Sequence, residues 1–494
     1  MLEKKNNVIF VIADDLGYWA LGSYGNKDAI TPNLDRLAHE GKKFENFFCA
    51  SPVCSPARAS IFTGRIPSQH GILDWLDEWE NGTTTEEYLK GQNTFVDILS
   101  ENNYTCCMSG KWHMGAAEKP QNGFKYWYSH QKGGGPYYNA PMYKDGELVY
   151  EEEYITDKIT DYALEFLEKH SNDKNPFFLS LNYTAPHSPW NSKNHPKELL
   201  DLYENCEFLS CPRETYHPWK IAETFEGNEE ERKDVLKGYF ASLTSMDLNI
   251  GRVLKFLEDK KILEDTLVIF TSDNGMNMGH HGIFGKGNGT SPLNMYDTSV
   301  KIPFIMYKKG EFIPEVVDKL LSHYDIRHTI LEYLKLDDHL DKNIKYPGKS
   351  FKNILENKNT EETGHIVIYD EYGPTRMIRN DRFKYVHRYP DGPYEFYDLQ
   401  KDPDEKINAI DNREYSEILK EMRYELLSWY SQHVNPEIDG AILPVYGGGQ
   451  KKLAGKWGKY DKDAFGRYSS KYIFTSDDEL REKVTEIKLE SKIQ

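Results

Sequence analysis

Short apolar runs recur along the first two thirds of the chain, and most are followed by a segment with helical spacing. Runs of four to eight apolar residues are typical of buried strands, whereas apolar residues three and four positions apart indicate helices. Strands that alternate with helices predict an α/β fold with a mostly parallel sheet covered on both faces. The predicted strands are residues 8–13, 105–109, 177–183, 266–272 and 302–307, and the predicted helices are residues 34–40, 155–169 and 235–260.

The pattern changes near residue 366, where strand-like runs follow one another closely before a single long helix at 415–433. Close spacing of this kind is typical of antiparallel pairing. We therefore predict a large α/β domain over residues 1–365, a small α+β subdomain over 366–436, and an extension over 437–494 that wraps the surface. The predicted strands of the subdomain are residues 366–370, 375–379, 383–387 and 394–399.

Composition limits the classes of partner. The 494 residues carry a net charge of −18. So acidic a surface argues against nucleic acid or an anionic membrane as the main partner. If the ligand is itself an anion, a local cluster of basic side chains or a metal ion must overcome this overall charge.

The N-terminal apolar run at residues 8–13 is too short for the core of a signal peptide, and it ends in two aspartates. No later stretch approaches the length of a membrane span. We therefore expect a cytoplasmic protein without membrane association. Six cysteines in so long a chain do not make a disulfide framework, so free thiols are expected for all of them except Cys54.

Polar side chains follow four of the predicted strands at the point where each strand ends. Asp and Asn often cap helices in such positions, so any single pair could be structural. Four strands together are hard to attribute to capping, because the carboxyl ends of strands in an open α/β sheet form the ligand-binding edge. The residues at these ends are Asp14 and Asp15, Lys111 and His113, His187, and Asp273 and Asn274.

The oxygen-bearing members of this set predict a metal site. Two aspartates after one strand and an Asp-Asn pair after another offer only oxygen ligands. Hard divalent cations such as Ca²⁺ and Mg²⁺ prefer such ligands. No His and Cys cluster with the spacing of a zinc site occurs in the sequence.

Cys54 lies in the segment Pro-Val-Cys-Ser-Pro-Ala-Arg-Ala-Ser-Ile-Phe-Thr-Gly at residues 52–64. Pro56 favours the first turn of a helix that begins near Ser55. Cys54 would then lie at the helix N-terminus, where free N–H groups and the helix dipole favour negative charge. Arg58, one turn later, would face the same end. The simpler interpretation is a small buried cysteine before a helix.

This segment resembles the type I sulfatase signature at every constrained position. Several other segments resemble motifs of the same family in the same order, although Asn103 replaces a usual glycine ahead of the second signature. The resemblance covers about residues 7 to 430. The matching segments are residues 13–17, 109–115, 185–189, 272–275, 282–286, 383–386 and 397–403.

The resemblance implies an alkaline-phosphatase-like fold and a hydrolase that converts a sulfate monoester to an alcohol and sulfate. It implies that a separate maturation enzyme oxidises Cys54 to formylglycine, whose hydrate is the nucleophile. It also implies one divalent cation, Ca²⁺ by preference with Mg²⁺ as the alternative. The ligands implied for this ion are Asp14, Asp15, Cys54, Asp273 and Asn274.

Five further residues receive roles from the resemblance. Arg58 would steady the hydrate, and His113 would accept its proton. Lys111 and Lys286 would hold the sulfate oxygens through charge-assisted hydrogen bonds. His187 would protonate the leaving alcohol, a role that suits an imidazole near neutral pH, or help to bind sulfate. Together the basic residues supply the positive cluster that an anionic ligand demands.

A small sulfated carbohydrate, such as a monosaccharide or oligosaccharide derived from a glycosaminoglycan, is the expected substrate. Asp74, Trp75 and Trp79 follow the signature helix and could line a sugar subsite or form a packed lid. Three alternatives remain open: a phosphonate or phosphate-ester hydrolase of the same superfamily, an aryl or choline sulfatase, and a non-catalytic binding protein. The sequence leaves the oligomeric state open.

Overall fold

The computed structural model describes residues 6–77, 86–221, 225, 227–358, 368–455 and 464–466 of the chain. Within these ranges the strands are β1 (Asn7–Ala13), β2 (Lys42–Phe48), β3 (Thr105–Gly110), β4 (Tyr126–His130), β5 (Ala140–Lys144), β6 (Glu147–Glu151), β7 (Phe177–Asn182), β8 (Thr266–Ser272), β9 (Asn277–Met278), β10 (Phe284–Gly285), β11 (Lys301–Tyr307), β12 (Glu315–Val317), β13 (Leu321–Ser322), β14 (Ile368–Tyr372), β15 (Thr375–Arg379), β16 (Phe383–Arg388) and β17 (Glu395–Asp398). The α-helices are α1 (Pro32–Glu40), α2 (Cys54–Thr63), α3 (Pro67–His70), α4 (Phe95–Glu101), α5 (Ile155–His170), α6 (Lys197–Asp201), α7 (Glu229–Asp259), α8 (Asp297–Val300), α9 (His323–Tyr333), α10 (Lys352–Leu355) and α11 (Ser416–His433).

A large mixed sheet forms the centre of the molecule. Its strands follow the order β12-β2-β11-β8-β1-β7-β3-β4-β5-β6, and β13 pairs with β2 as well. The central neighbours β8, β1, β7, β3 and β4 run parallel. Strand β11 is antiparallel to both of its neighbours. The prediction of a large, mostly parallel α/β sheet is therefore confirmed.

Side chains of β1 alternate between two hydrophobic cores, one on each face of this sheet. Val8, Phe10 and Ile12 pack into one core, which also receives residues of α2, α4 and α9. Ile9 and Val11 pack into the other, together with residues of α1, α5 and α7. Because both faces are covered, β1 reads as one continuous apolar run instead of an alternating pattern.

A second, smaller sheet contains β14, β15, β16 and β17 in chain order, and all of its pairs are antiparallel. Helix α11 covers it with Met422, Leu426 and Tyr430, which pack with Ile378 and Tyr385 of the sheet. The predicted small antiparallel sheet with one helix is confirmed. The first predicted strand began at residue 366, and residues 366 and 367 lie outside the described ranges.

Several short strands and helices were not predicted, and two of the differences have a clear physical reason. Strand β2 was not predicted because it contains two lysines. One of them, Lys42, is fully buried and its ammonium donates to Glu315 at 2.6 Å. Helix α7 begins at Glu229, six residues before the predicted start. Asn228 caps this helix by accepting from the backbone N–H of Glu231, and the Glu231 side chain accepts from the Asn228 N–H.

The sequence predicts a charged insertion of uncertain form over residues 205–234. Its residues 205–221 contain no strand or helix, and they pack on the loop that carries Lys286. His217 N donates to Gly282 O at 3.3 Å, and Ile221 N donates to Gly289 O at 3.2 Å. The insertion therefore braces the loop on both sides of Lys286. In the part of the chain that the structure describes, no helix is long and apolar enough to cross a membrane.

Candidate active site

The four predicted strand ends meet at one edge of the sheet because β8, β1, β7 and β3 are consecutive neighbours. Lys111 Nζ donates to Asp14 Oδ2 at 2.6 Å. Asp15 N donates to Asp273 Oδ1 at 3.2 Å. His187 Nε2 lies 3.6 Å from Asp15 Oδ2. The residues from four separate strands thus form one contiguous cluster.

Cys54 is the first residue of α2, and Val53 before it is the N-cap. Every residue of this helix is buried. The Cys54 thiol donates to Asp14 Oδ1 at 3.5 Å and accepts from Lys286 Nζ at 2.8 Å. Burial raises the pKa of the Cys54 thiol to about 12, although Lys111 and Lys286 oppose the shift. The unmodified side chain is therefore a neutral thiol, held where a negative group would meet a helix N-terminus and two ammonium groups.

Arg58 links this helix to the strand ends. Its Nε donates to Asp273 Oδ2 at 2.9 Å and its Nη1 donates to Lys111 O at 3.0 Å. Its Nη2 lies 3.9 Å from Asp14 Oδ1 and makes no hydrogen bond. Because one donor of a fully buried guanidinium is unused, Arg58 can still bind an oxygen of a ligand at this position.

The site balances three carboxylates with three basic side chains, all of them buried. Lys286 pairs with Asp15, just as Lys111 pairs with Asp14 and Arg58 with Asp273. Burial raises the pKa of Asp14, and Lys111 only partly opposes it. Burial would also raise the pKa of Asp15, but Lys286 and His187 outweigh it and hold that pKa below its usual value.

The acidic residues fit a divalent cation. Carboxylate oxygens of Asp14, Asp15 and Asp273 lie within 4.8 Å of one another. Asn274 uses its Nδ2 to donate to Asp15 and to Gly275 O, and its buried Oδ1 has no hydrogen-bond partner. An unused amide oxygen beside three carboxylates offers the oxygen ligands that Ca²⁺ and Mg²⁺ prefer.

His113 is oriented by a backbone carbonyl that the sequence did not reveal. Its Nε2 lies 3.0 Å from Leu76 O. A carbonyl can only accept, so Nε2 carries the proton and Nδ1 keeps the lone pair. Nδ1 is buried and has no partner. Burial and Lys111 lower the pKa of His113 well below its usual value, so the ring is neutral with Nδ1 available as a base.

His187 lies at the outer side of the cluster, with 22% of its side chain exposed. Its Nδ1 donates to Ser188 O at 2.8 Å, which turns Nε2 toward Asp15. Tyr137 OH donates to His187 O at 2.8 Å and steadies the backbone. His187 is therefore both in contact with the cluster and accessible from outside.

Comparison with known proteins accounts for this arrangement. A family model described as Sulfatase matches residues 6–336, well over half of the chain. The chain belongs to the sulfatase family. A second model, described as N-sulphoglucosamine sulphohydrolase, C-terminal, matches residues 279–432 of this sulfatase. The chain is accordingly a sulfuric ester hydrolase, and the predicted enzyme class is confirmed.

Individual relatives agree with this assignment. The N-acetylglucosamine-6-O-sulfatase of Bacteroides thetaiotaomicron is 27% identical over 91% of this chain and 90% of its own. The human iduronate 2-sulfatase is 29% identical over 65% of this chain and 63% of its own. A solved structure described as bound to its substrate D-glucosamine-2-N,6-O-disulfate has a TM-score of 0.74 at 26% identity, covering 87% of this chain and 98% of that one.

The sulfatase also contains a glycine turn at the site whose role sequence reasoning missed. Residues 133–135 are three glycines between β4 and β5. A Cβ on Gly133 would lie 2.0 Å from Cε1 of His113, and a Cβ on Gly134 would lie 3.0 Å from Cε1 of His187. The glycine run was visible in the sequence, but nothing in it indicated contact with two histidines.

Asp74 does not have the exposure that a sugar subsite needs, whereas Trp75 is only partly buried. Asp74 is fully buried and accepts from Tyr372 OH at 2.5 Å and from Gly449 N at 3.0 Å. Trp75 is partly buried and donates to Gly447 O at 2.9 Å. Both side chains contact the C-terminal extension, as the packed-lid alternative expects. Trp79 lies outside the described residues.

Proposed function

We propose that this sulfatase hydrolyses a sulfate monoester on a small sulfated carbohydrate, with the hydrate of a formylglycine at position 54 as the nucleophile. The position of Cys54 is the observation that carries the proposal. It lies at the N-terminus of a buried helix, between Asp14 and Lys286. Here the cysteine stands in for the hydrate, whose two hydroxyls would occupy the same surroundings.

In the first step, one deprotonated hydroxyl of the hydrate attacks sulfur, and the bond between sulfur and the alcohol oxygen breaks. The sulfate group is then attached to residue 54, and the alcohol oxygen needs a proton. His187 supplies it from the exposed side of the cluster, where a leaving alcohol has room. Lys111 and Lys286 hold the sulfate oxygens, and Arg58 steadies the hydrate through its unused Nη2.

In the second step, the remaining hydroxyl of residue 54 gives its proton to His113 Nδ1. The oxygen forms a carbonyl with its carbon, and the bond from that carbon to the sulfated oxygen breaks. Sulfate leaves, and water adds to the aldehyde to restore the hydrate. A serine at this position would form a sulfate ester that has no second hydroxyl to form a carbonyl and expel sulfate. This difference explains the need for a modified cysteine.

A divalent cation, Ca²⁺ by preference, would be held by Asp14, Asp15, Asp273, Asn274 and modified Cys54. When bound, such an ion favours the deprotonated nucleophile and neutralises charge on the sulfate oxygens. Its two positive charges also change the net charge of the site. The three carboxylates and three basic groups of the site cancel, so a cation would leave a positive site for an anionic sulfate ester.

The substrate class rests on the relatives. The names of several refer to sulfated sugars, and the substrate in the solved structure is a disulfated glucosamine. A structure described as a phosphonate monoester hydrolase of Agrobacterium radiobacter is also similar, with a TM-score of 0.69 at 20% identity over 87% of this chain and 96% of that one. That similarity shows a shared fold alone, so we favour a sulfate ester.

Mass spectrometry of the peptide that contains residue 54 tests the proposal, using protein co-expressed with a maturation enzyme. We expect an aldehyde in place of the thiol. Turnover of 6-O-sulfated glucosamine, 4-nitrophenyl sulfate and 4-nitrophenyl phenylphosphonate by the same sample then separates the ester classes. An intact thiol, beside full conversion of a control sulfatase, would refute the formylglycine mechanism. A preference for the phosphonate would refute the substrate class.

A further inference from the structure

Part of the C-terminal extension lies against the segment that follows Gly71 at the end of α3. Gln450 and Leu76 form a parallel bridge. Gln450 N donates to Trp75 O at 2.7 Å, and Asp77 N donates to Gln450 O at 2.9 Å. Two backbone hydrogen bonds from one extension residue therefore bracket Leu76 on both sides.

The side chain of Gln450 adds further hydrogen bonds to the same segment. It is fully buried. Its Oε1 accepts from Leu73 N at 2.8 Å, and its Nε2 donates to Gly71 O at 2.9 Å and to Lys452 O at 2.9 Å. Both ends of the amide are used, so neither an apolar residue nor a carboxylate of the same length could replace it without loss.

On its other side, Leu76 contacts the reaction centre through its backbone. Leu76 N donates to Ser55 Oγ at 3.0 Å, and Ser55 adjoins Cys54 in α2. Leu76 O accepts from His113 Nε2 at 3.0 Å. One residue thus connects the nucleophile helix to the proposed proton acceptor, and Gln450 fixes the position of that residue.

The carbonyl of Leu76 decides which nitrogen of His113 is basic. While Leu76 O stays in place, Nε2 keeps its proton and Nδ1 keeps its lone pair. A shift of this carbonyl would release the ring to rotate or to exchange its proton between nitrogens. Small displacements of this kind reduce turnover strongly, because a displaced base no longer meets the proton it must accept.

We propose that Gln450 is a positioning residue for the sulfatase reaction, which holds Leu76 O against His113 and thereby fixes the basic nitrogen of that histidine. The proposal rests on the proposed role of His113 as proton acceptor. Gln450 lies beyond both family models, which end at residues 336 and 432. The C-terminal extension therefore completes the reaction centre of this chain, in addition to covering the surface.

The variants Gln450→Ala and Gln450→Glu test the proposal in the full-length, matured enzyme. We expect kcat to fall about 10- to 100-fold in Gln450→Ala, with KM changed by less than about threefold, because the base moves while the sulfate-binding lysines stay. In Gln450→Glu, kcat should fall at least as much, because a carboxylate oxygen replaces Nε2 and lies against two carbonyl oxygens. Hydrogen exchange of the amides of residues 71–77 should accelerate in both variants.

Ser68→Ala is the matched control. Ser68 Oγ accepts from Gly440 N at 2.9 Å, so it also anchors the extension, but away from Leu76. This variant should keep the kcat of the parent enzyme. Hydrogen exchange of the amides of residues 71–77 should remain as slow as in the parent. A kcat fall equal to that of Gln450→Ala would show that loosening the extension anywhere has the same effect, and would overturn the specific role of Gln450.

His113→Ala separates failure of this proposal from failure of the proposed mechanism. If His113→Ala turns over normally, the proton-acceptor role is refuted, and the reason for fixing its tautomer disappears with it. If His113→Ala is inactive while Gln450→Ala keeps its full kcat, Gln450 alone is refuted. Unchanged hydrogen exchange at residues 71–77 in Gln450→Ala would also overturn the proposal, whatever the activity.

Discussion

Replacing Gly133 by alanine tests whether the glycine turn sets the position of His113. The added Cβ would lie 2.0 Å from Cε1 and 2.1 Å from Nε2 of the ring. Nonbonded carbons approach to about 3.5 Å, so the turn or the ring must move by about 1.5 Å. Gly133 is not among the residues with positive φ, so the backbone itself accepts alanine and the effect arises from this contact.

A displacement of roughly 1 Å can cost about 100-fold in rate, which corresponds to about 2.7 kcal/mol of transition-state stabilisation. We therefore expect kcat on 4-nitrophenyl sulfate to fall at least that far in Gly133→Ala. Gly134→Ala is the graded control, because its Cβ would lie 3.0 Å from His187 and needs a much smaller shift. If Gly133→Ala retains a kcat within about threefold of the parent, His113 is not held by this turn.

Two further predictions concern the metal site and Asp74. Removal of divalent cations by a chelator should lower activity and melting temperature together, and Ca²⁺ should restore both. The reason is that three carboxylates of the site lie within 4.8 Å of one another. A chelated enzyme that keeps both properties would contradict the metal site. Burial raises the pKa of Asp74 to about 7. The folded state therefore binds this proton more tightly than the unfolded state, and the free energy of unfolding should decrease between about pH 4 and pH 7. In urea unfolding experiments, Asp74→Asn should remove this decrease of the free energy of unfolding with pH. If the variant shows the same pH dependence as the parent, the role of Asp74 is contradicted.

The central strands were predictable because burial on both faces leaves a continuous apolar run, as in β1 and β8. Strand β2 was not predictable, because the acceptors for the ammonium of buried Lys42 are Glu315 and Asn357, far along the chain. The start of α7 could have been found from Asn228 and Glu231, which form a capping box. The missed strand thus depends on distant partners, whereas the missed helix start depends on a local signal.

The strand-end residues were found because side-chain type and position along a strand are both visible in the sequence. The contact between His113 and Leu76 was not, since it uses a backbone carbonyl and any residue has one. The contacts of Gln450 were also invisible, because a lone glutamine in a glycine-rich tail has no periodicity or motif. Sequence thus revealed the side chains that cluster at the strand ends, but not the backbone and side-chain groups that hold them.

The attachment of Gln450 to Leu73 has a consequence for the order of events during synthesis. These residues are 377 positions apart along the chain. At elongation rates of about 5 to 20 residues per second, the ribosome needs roughly 20 to 75 s to make Gln450 after Leu73 has been added. Residue 54 exists throughout that interval without its finished surroundings. The maturation enzyme that the proposed function requires would thus have tens of seconds to reach a side chain that is only 2% exposed once the chain has folded.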